Sequence, residues 1–242
     1  MRYLLAILLL VVNLFGAIGA SEPTAEIAST SNASSYSFAA FTPSANATLV
    51  VLVFATGTTA TATMSGGSLS WTRETSILYN TTDTAYLFWA NTGASPGSTT
   101  ITFDCTGDNA TGVTMSVTEF TGSDVTTPNP IRQFKTAATT AANPSTTFDT
   151  GMNTNNGYVS GFGMPRNPPT STPPASWTEM MDTGYSTPTA GASSAYRAGG
   201  ETAAAITFTS SSAAYGMISA EVYVAGAGPV ASAQGAYRRR VR

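Results

Sequence analysis

The sequence predicts an all-β protein, and three observations carry that expectation. Charged residues make up only 10% of the 242 positions, against roughly 25% in average soluble proteins. The chain therefore lacks the Glu, Lys and Arg that surface helices place on their solvent face. Forty-one Thr and 27 Ser give 68 positions with a small hydroxyl, and Thr with Val, Tyr and Phe suits strands. Apolar residues recur in short runs bounded by Gly, Pro, Asn and Asp, and no window of 11 or more residues after the leader shows helical periodicity. Short strands with regular turn signals imply a β-sandwich or barrel.

The elements follow in chain order. Met1-Arg2 is a short positive region. Residues 3–18 are apolar except for Asn13, and small residues stand at Ala17, Gly19 and Ala20 before Ser21-Glu22-Pro23. That order reads as a secretory signal peptide over residues 1–20, cut after Gly19 or Ala20. The alternative is an uncleaved anchor, for which the run is a little short, since a span needs about 20 residues. A polar segment follows at 21–35, then the sandwich domain at 36–226. Residues 48–54 are a continuous apolar run, as for a central strand buried on both faces. Residues 61–64 and 68–72 flank Ser65-Gly66-Gly67 as a hairpin with a Gly-Gly turn. Residues 76–79 and 85–90 make a second hairpin around the polar turn 80–83, and 91–97 is turn chemistry. Residues 99–105 are a further strand. In 113–120, Val113, Met115 and Val117 alternate with Thr114, Ser116 and Thr118.

The pattern then repeats. The first half runs through Leu69-Ser-Trp71-Thr72, Ala85-Tyr86, Ile101-Thr102-Phe103 and Glu119-Phe120. The second runs through Ala175-Ser-Trp177-Thr178, Ala195-Tyr196, Ile206-Thr207-Phe208 and Glu221-Val222. The Trp-Thr pairs lie 106 residues apart and the Ile-Thr-Phe triplets 105 apart. Two pseudo-repeated halves, about 46–122 and 150–225, are expected to form one sandwich, with 122–142 as the crossover between them.

Gly66-Gly67-Ser-Leu-Ser-Trp-Thr72, Leu87-Phe-Trp-Ala-Asn91, Gly97-Ser-Thr-Thr-Ile-Thr-Phe103, Val117-Thr-Glu-Phe-Thr-Gly122 and Thr127-Pro128 resemble a repetitive β-sandwich module of secreted bacterial proteins and tailed-phage structural proteins. The resemblance covers about residues 36–225. It implies a single jelly-roll-like or immunoglobulin-like sandwich and brings no catalytic residues with it. The Pro-rich loop and the basic tail described below depart from the module.

Composition removes several chemistries. With no His and one Cys there is no thiolate or imidazole zinc site and no His-based nucleophile relay. Cys105 has no partner for an intramolecular disulfide. It shares a strand face with Ile101 and Phe103, so it reads as a small buried hydrophobe or as an intermolecular crosslink. Glu119 and Glu221 occupy matching places in the two halves. A glycosidase needs two carboxylates facing one bond, and matching places in a pseudo-symmetric sandwich can lie far apart. No catalytic residue is assigned, and the protein is expected to be no enzyme. The acidic turn from Asp104 through Asp108 to Asn109 lacks the closing carboxylate of a Ca²⁺ loop, so no metal and no cofactor are expected. Four Asn-x-Ser/Thr sequons occur, about as many as so Ser/Thr-rich a chain produces by chance.

Two features are left as candidate contacts. Residues 164–175 hold a Pro-rich stretch that reads as a stiff extended loop. Arg166 and Trp177 flank it and Tyr185 and Tyr196 follow, a set suited to stacking on a sugar ring; the alternative is that Trp177 is core, like Trp71. Residues 21–235 carry five positive residues against 13 acids, a net of −8, whereas the last seven residues carry Arg238, Arg239, Arg240 and Arg242 and no acid. The tail over 227–242 reads as a flexible, solvated terminus or as a contact to an acidic partner, phosphate or anionic lipid. The acidic body argues against nucleic acid. The expected function is that of an exported structural or adhesive subunit of a cell surface, appendage or virion. It would associate with itself or with another surface or virion protein, and would not contact a membrane once the leader is removed. The alternative is a secreted carbohydrate-binding module.

Overall fold

The computed structural model describes residues 17–57, 61–105, 107, 109–167 and 170–226. These form β-strands joined by turns, with no helix among the described residues. The first half holds β1 (Gly19–Ser21), β2 (Ile27–Ser29), β3 (Ser35–Ser37), β4 (Thr48–Thr56), β5 (Thr63–Gly66), β6 (Thr72–Tyr79), β7 (Asp83–Asn91), β8 (Ile101–Asp104) and β9 (Gly112–Thr121). The second holds β10 (Ile131–Ala141), β11 (Ser145–Thr147), β12 (Gly157–Met164), β13 (Thr178–Ser186), β14 (Thr189–Ala198), β15 (Ala205–Thr207) and β16 (Ala213–Val222). All pairings are antiparallel. A six-stranded sheet has the order β1-β9-β4-β7-β6 with β2 also on β9, and a five-stranded sheet has the order β10-β16-β12-β14-β13. Two small sheets, β3-β8-β5 and β11-β15, complete the fold.

The apolar run of β4 shows how the sheets stack. Strand side chains alternate between faces. Val50, Leu52 and Phe54 join a central core with Val159, Met181, Ala192 and Ile218 of the second half. Leu49, Val51 and Val53 join a different core with Tyr36, Met64, Ile101 and Phe103 of the small sheet. A third core gathers Phe162, Trp177, Ile206, Phe208 and Met217 on the far side of the second large sheet. Three cores thus lie between four layers. The large sheets, one from each half, face each other as expected of a sandwich. Each half also carries a small sheet of its own on its outer face, because a strand that is apolar on both sides needs a partner layer on both.

The repeat is visible in the topology. The orders β9-β4-β7-β6 and β16-β12-β14-β13 correspond, and a register shift falls in the same place in each, at Arg73/Thr75 and at Glu179/Met181. The expected crossover 122–142 is only partly a connector. Its second part is β10, an edge strand paired with β16 along its length.

Two tyrosines at the repeat offset of 106 bind the halves together. Gly163 and Gly216 are cross-strand partners, and a Cβ at Gly216 would lie 2.3 Å from the Tyr79 ring. Tyr79 of the first half therefore fills a slot that only paired glycines leave open. Tyr185 of the second half lies over Gly112, where a Cβ would meet its ring at 2.4 Å, and its hydroxyl is hydrogen-bonded with Thr56 Oγ1 at 3.1 Å. Both phenols stay neutral. Burial pushes Tyr185 up to about 12, and burial with the nearby Asp83 carboxylate pushes Tyr79 well above its ordinary value.

The start of the described chain is part of this fold. β1 pairs Gly19, Ala20 and Ser21 with Thr121, Phe120 and Glu119 of β9. Ile18 is buried in the central core, close enough to Gly157 that a Cβ there would lie 2.9 Å from its Cδ1. The cut expected after Gly19 or Ala20 falls within β1. The segment expected as a polar N-terminal stretch, 21–35, contributes β2 and the start of β3.

Candidate functional site

The residues expected to bind a ligand do not converge. Arg166 is exposed and donates from Nη2 to the Ser212 carbonyl at 3.3 Å. Trp177 is buried in the outer core of the second half, its ring 6.3 Å from that of Tyr158 and its indole N–H donating to Glu201 Oε2 at 2.7 Å. Tyr185 is buried between the halves, and Tyr196 is half-buried against the central core. Trp177 and Tyr196 thus serve cores on opposite faces of one sheet. Burial leaves no ring face of Trp177 or Tyr185 to stack on a sugar, which corrects the expected aromatic platform. Arg238, Arg239, Arg240 and Arg242 lie outside the described residues. Cys105 is buried in the first-half core, as a small hydrophobe would be.

The buried carboxylates that sequence symmetry brings out are engaged in the fold. Glu221 on β16 is fully buried. Its Oε2 accepts from Arg132 Nη1 at 2.5 Å and Gln133 Nε2 at 2.5 Å. Its Oε1 accepts from the Asn153 amide at 3.0 Å and Asn156 Nδ2 at 2.8 Å, and the Tyr158 hydroxyl lies 3.2 Å from it. Burial and then the Glu221 charge push the Tyr158 phenol up, so it keeps its proton, which the Asn153 carbonyl accepts at 2.5 Å. Glu119 on β9 accepts instead from Ser44, whose amide lies at 2.6 Å and hydroxyl at 2.7 Å. The two acids share no partner. Glu201 accepts from Trp177, from Arg197 at 3.0 Å and from the amides of Thr202 and Ala203. Burial alone would raise its carboxyl, but these donors together hold it below its ordinary value. Each carboxylate accepts from donors that fasten a loop to a sheet. The sequence signal for the Glu221 hub was the Asn-rich run 153–156 ahead of a strand. It carried no information on which acid those residues would meet. Among the described residues, no group of three or more Asp, Glu or Cys is placed to hold a metal ion.

Two surfaces remain open. The first is a cleft of about 630 Å³ between the 66–72 turn and the 91–100 loop, lined by Leu69, Pro96 and the hydroxyl residues Ser68, Ser95, Ser98 and Thr99. It shares Ser68, Leu69 and Gly93 with a second cleft of about 440 Å³ that reaches Trp89, Asn91 and Pro128. No charged residue lines either. The Trp89 indole N–H is spent on Glu74 Oε2 at 2.9 Å. Such a lining offers hydrogen bonds and an apolar contact to a neutral, polar ligand.

The second surface is the outer edge of β10. Among the described residues its only strand partner is β16. At its start, side chains tie it to the 149–151 segment: Arg132 to the Gly151 carbonyl at 2.9 Å, Gln133 to Thr150 Oγ1 at 2.7 Å, and Lys135 to Asp149. Beyond Lys135 the strand reads Thr-Ala-Ala-Thr-Thr-Ala, and Ala138, Thr139 and Thr140 are exposed. A cleft of about 380 Å³ runs beside this part, between Tyr79-Asn80-Thr81 and Ala138-Thr139-Thr140. Leu78, one residue from that cleft, is 50% exposed.

No protein-family model matches the chain, and neither a curated protein nor a solved structure is significantly similar to it.

Proposed function

We propose that this chain is an exported, non-catalytic structural or adhesive subunit of a cell surface, appendage or virion, and that its copies associate edge to edge through β10. The observation that carries this reading is the bare second half of that strand. Natural sheets blunt their edges with charge, proline or bulges, and residues 136–141 contain none of these. A second copy adding a strand there gains main-chain hydrogen bonds, and the adjoining cleft receives alternate side chains. We read each half as jelly-roll-like, with β2-β9-β4-β7 and β3-β8-β5 as the two layers of the first and β10-β16-β12-β14 and β11-β15 as those of the second. Folds of this kind recur in capsids and lectins.

Light scattering after size exclusion, with negative-stain images of the same fractions, tests the reading on the full chain. A defined oligomer, ring or filament is expected, and Ala138→Lys with Thr140→Lys should return it to monomer with unchanged melting. A wild-type monomer across concentration and salt would refute assembly. A second reading, binding of a neutral glycan, is favoured by the uncharged hydroxyl-lined cleft at Leu69 rather than by Trp177. It expects glycan retention that Leu69→Asp abolishes.

A further inference from the structure

The two halves differ at one equivalent loop. Trp71 and Trp177 each stand just before a matching cross-strand pair, Thr72 with Trp89 and Thr178 with Tyr196. Asn91 and Ala198 likewise end the matching strands β7 and β14. In the second half the loop that follows closes over its tryptophan. Glu201 accepts from the Trp177 indole, from Arg197 and from the amides of Thr202 and Ala203, and Trp177 is buried. In the first half nine residues separate Asn91 from Ile101, where seven separate Ala198 from Ile206, and none of the nine is charged. The Trp71 indole donates back to the Gly66 carbonyl of its own turn at 3.2 Å, and its ring stays half-buried. Glu201 therefore has no counterpart in that loop, and the clefts beside Leu69 open where the second half is closed.

The two clefts form one trough. They share Ser68, Leu69 and Gly93, so they meet at Leu69. Each offers the same chemistry. The larger sets Leu69 and Pro96 beside Ser95 and Ser98, and the smaller sets Trp89 and Pro128 beside Ser70 and Thr72. Both volumes fall within the range of small-ligand sites, about 300–1,000 Å³. Ser68, Ser70, Ser95 and Ser98 are exposed, and their hydroxyls have no hydrogen-bond partner among the described residues. Glu74, the acid beside Trp89, is held by the Trp89 indole and the Asn129 amide. A charged ligand would lose its water with no opposite charge in the lining to receive it. Two adjacent places with one chemistry, apolar on one side and hydroxylic on the other, suit a ligand that repeats itself without charge.

We propose that this trough binds a linear, uncharged oligosaccharide across two adjacent subsites, one on each side of Leu69. The first half alone does so, because Glu201 closes the equivalent place in the second. The site rests on the glycan reading given above and adds to it the ligand's length and its single copy per chain. It does not compete with the β10 edge. The trough reaches Thr72 and the β10 cleft reaches Tyr79, at opposite ends of β6 and about 23 Å apart at the rise of a strand. A copy joined to another through β10 keeps its trough open.

Isothermal titration of the full chain is the test. The probes are glucose-, galactose-, mannose-, xylose- and N-acetylglucosamine-based oligosaccharides of one, two and three units, with oligogalacturonate as the charged control. One site per chain is expected for at least one neutral series, and no binding of oligogalacturonate. Affinity should rise about tenfold from one unit to two, the worth of one or two hydrogen bonds. Ser98→Arg fills the larger cleft and should weaken the two-unit ligand about tenfold or more. Ser70→Arg fills only the smaller cleft and should remove the gain from the second unit. Both positions are exposed, and an unchanged melting temperature is the control. Affinity that does not rise with length, or that ignores Ser70→Arg, would overturn the two subsites and leave the glycan reading standing. Two sites per chain would overturn the restriction to the first half. No binding across the panel would overturn the proposal and the glycan reading together. So would arginine variants that lose self-association instead, since the trough would then seat another copy.

Discussion

Replacing Glu221 by Gln separates a structural carboxylate from a reactive one. Four donors point at its two oxygens, two at Oε2 and two at Oε1, and the Tyr158 hydroxyl, whose shorter bond of 2.5 Å goes to the Asn153 carbonyl, lies 3.2 Å from Oε1. An amide keeps one acceptor oxygen and turns the other position into a donor. Placed toward Oε2, its NH₂ meets the Arg132 guanidinium and the Gln133 amide; placed toward Oε1, it meets Asn153 and Asn156. No orientation satisfies the site. Hydrogen bonds to a charged group contribute about 1.5–3 kcal/mol each, and removing one partner of a buried ion pair costs about 3–5 kcal/mol. The Arg132 side chain keeps 24% exposure, so water recovers part of the loss, and about 3 kcal/mol is expected. For a chain of this size that lowers Tm by about 6–12 °C. Glu119→Gln is the comparison. There both donors belong to Ser44, and since a hydroxyl also accepts, the amide can pair with both groups. Its cost should stay below about 1 kcal/mol. Thermal and urea unfolding by circular dichroism reads both variants. Equal losses, or a loss under 1 kcal/mol for Glu221→Gln, would refute the reasoning that donor count makes this carboxylate indispensable.

Three further outcomes are expected. Gly216→Ala should cost about 1–3 kcal/mol as an overpacked contact, because its Cβ would fall 2.3 Å from the Tyr79 ring, while Gly97→Ala, with nothing within 4 Å, should be near neutral in the same urea titration. Stability should fall as pH rises above about 10, where unfolded tyrosines begin to ionise. The raised Tyr185 phenol contributes fully below that pH and its contribution is lost by about 12; the slope is up to about 1.4 kcal/mol per pH unit for each such tyrosine. A flat stability curve from pH 9 to 11 contradicts burial of these phenols. Ile18→Ala should destabilise the full chain by about 2–4 kcal/mol, whereas Leu78→Ala, at a half-exposed site, should change unfolding by less than about 0.5 kcal/mol.

The sequence conveyed most where a strand has one demand on each face. β4 and β9 could be read from their apolar content, and the turn at Gly66-Gly67 from its positive-φ glycines, but the hairpin expected around that turn does not form: β5 pairs with β8 in the small sheet and β6 with β7 in the large one. The layering was not local. Nothing in residues 101–104 says that they leave the large sheet for a small one. β10 was hidden for a different reason. Its Thr-Ala-Ala-Thr-Thr-Ala half has no apolar alternation, since it lies at an edge and is largely exposed. β14 was obscured by small residues, Ala-Gly-Ala-Ser-Ser-Ala, which are small because the strand lies between two cores whose bulk comes from neighbouring strands. The candidate site fared worst. Trp177 and Tyr185 looked available because a loop rich in proline precedes them, yet both are needed as core once the sheets stack. Ile18, within the expected leader, packs in the central core, a contact that its place in an apolar run does not announce.

The reciprocal tyrosines give the stack a consequence for where function can reside. Each half presents a large apolar face: Val50, Leu52, Phe54, Leu87 and Trp89 from one, and Val159, Met181, Ile218, Ala220 and Val222 from the other. Neither face is tolerable in water alone, since monomeric proteins rarely expose contiguous apolar patches beyond a few hundred Å². The halves are therefore not independent modules, and the broad faces of both large sheets are consumed in holding them together. The outer faces are consumed in turn by the small sheets. What remains accessible among the described residues is edges and loop ends. Of the edges, β6 and β13 are bent by register shifts, which disfavour strand addition, and β9 is already covered by β1 and β2. Among the edges of the two large sheets, the far half of β10 is left as the straight, uncharged one.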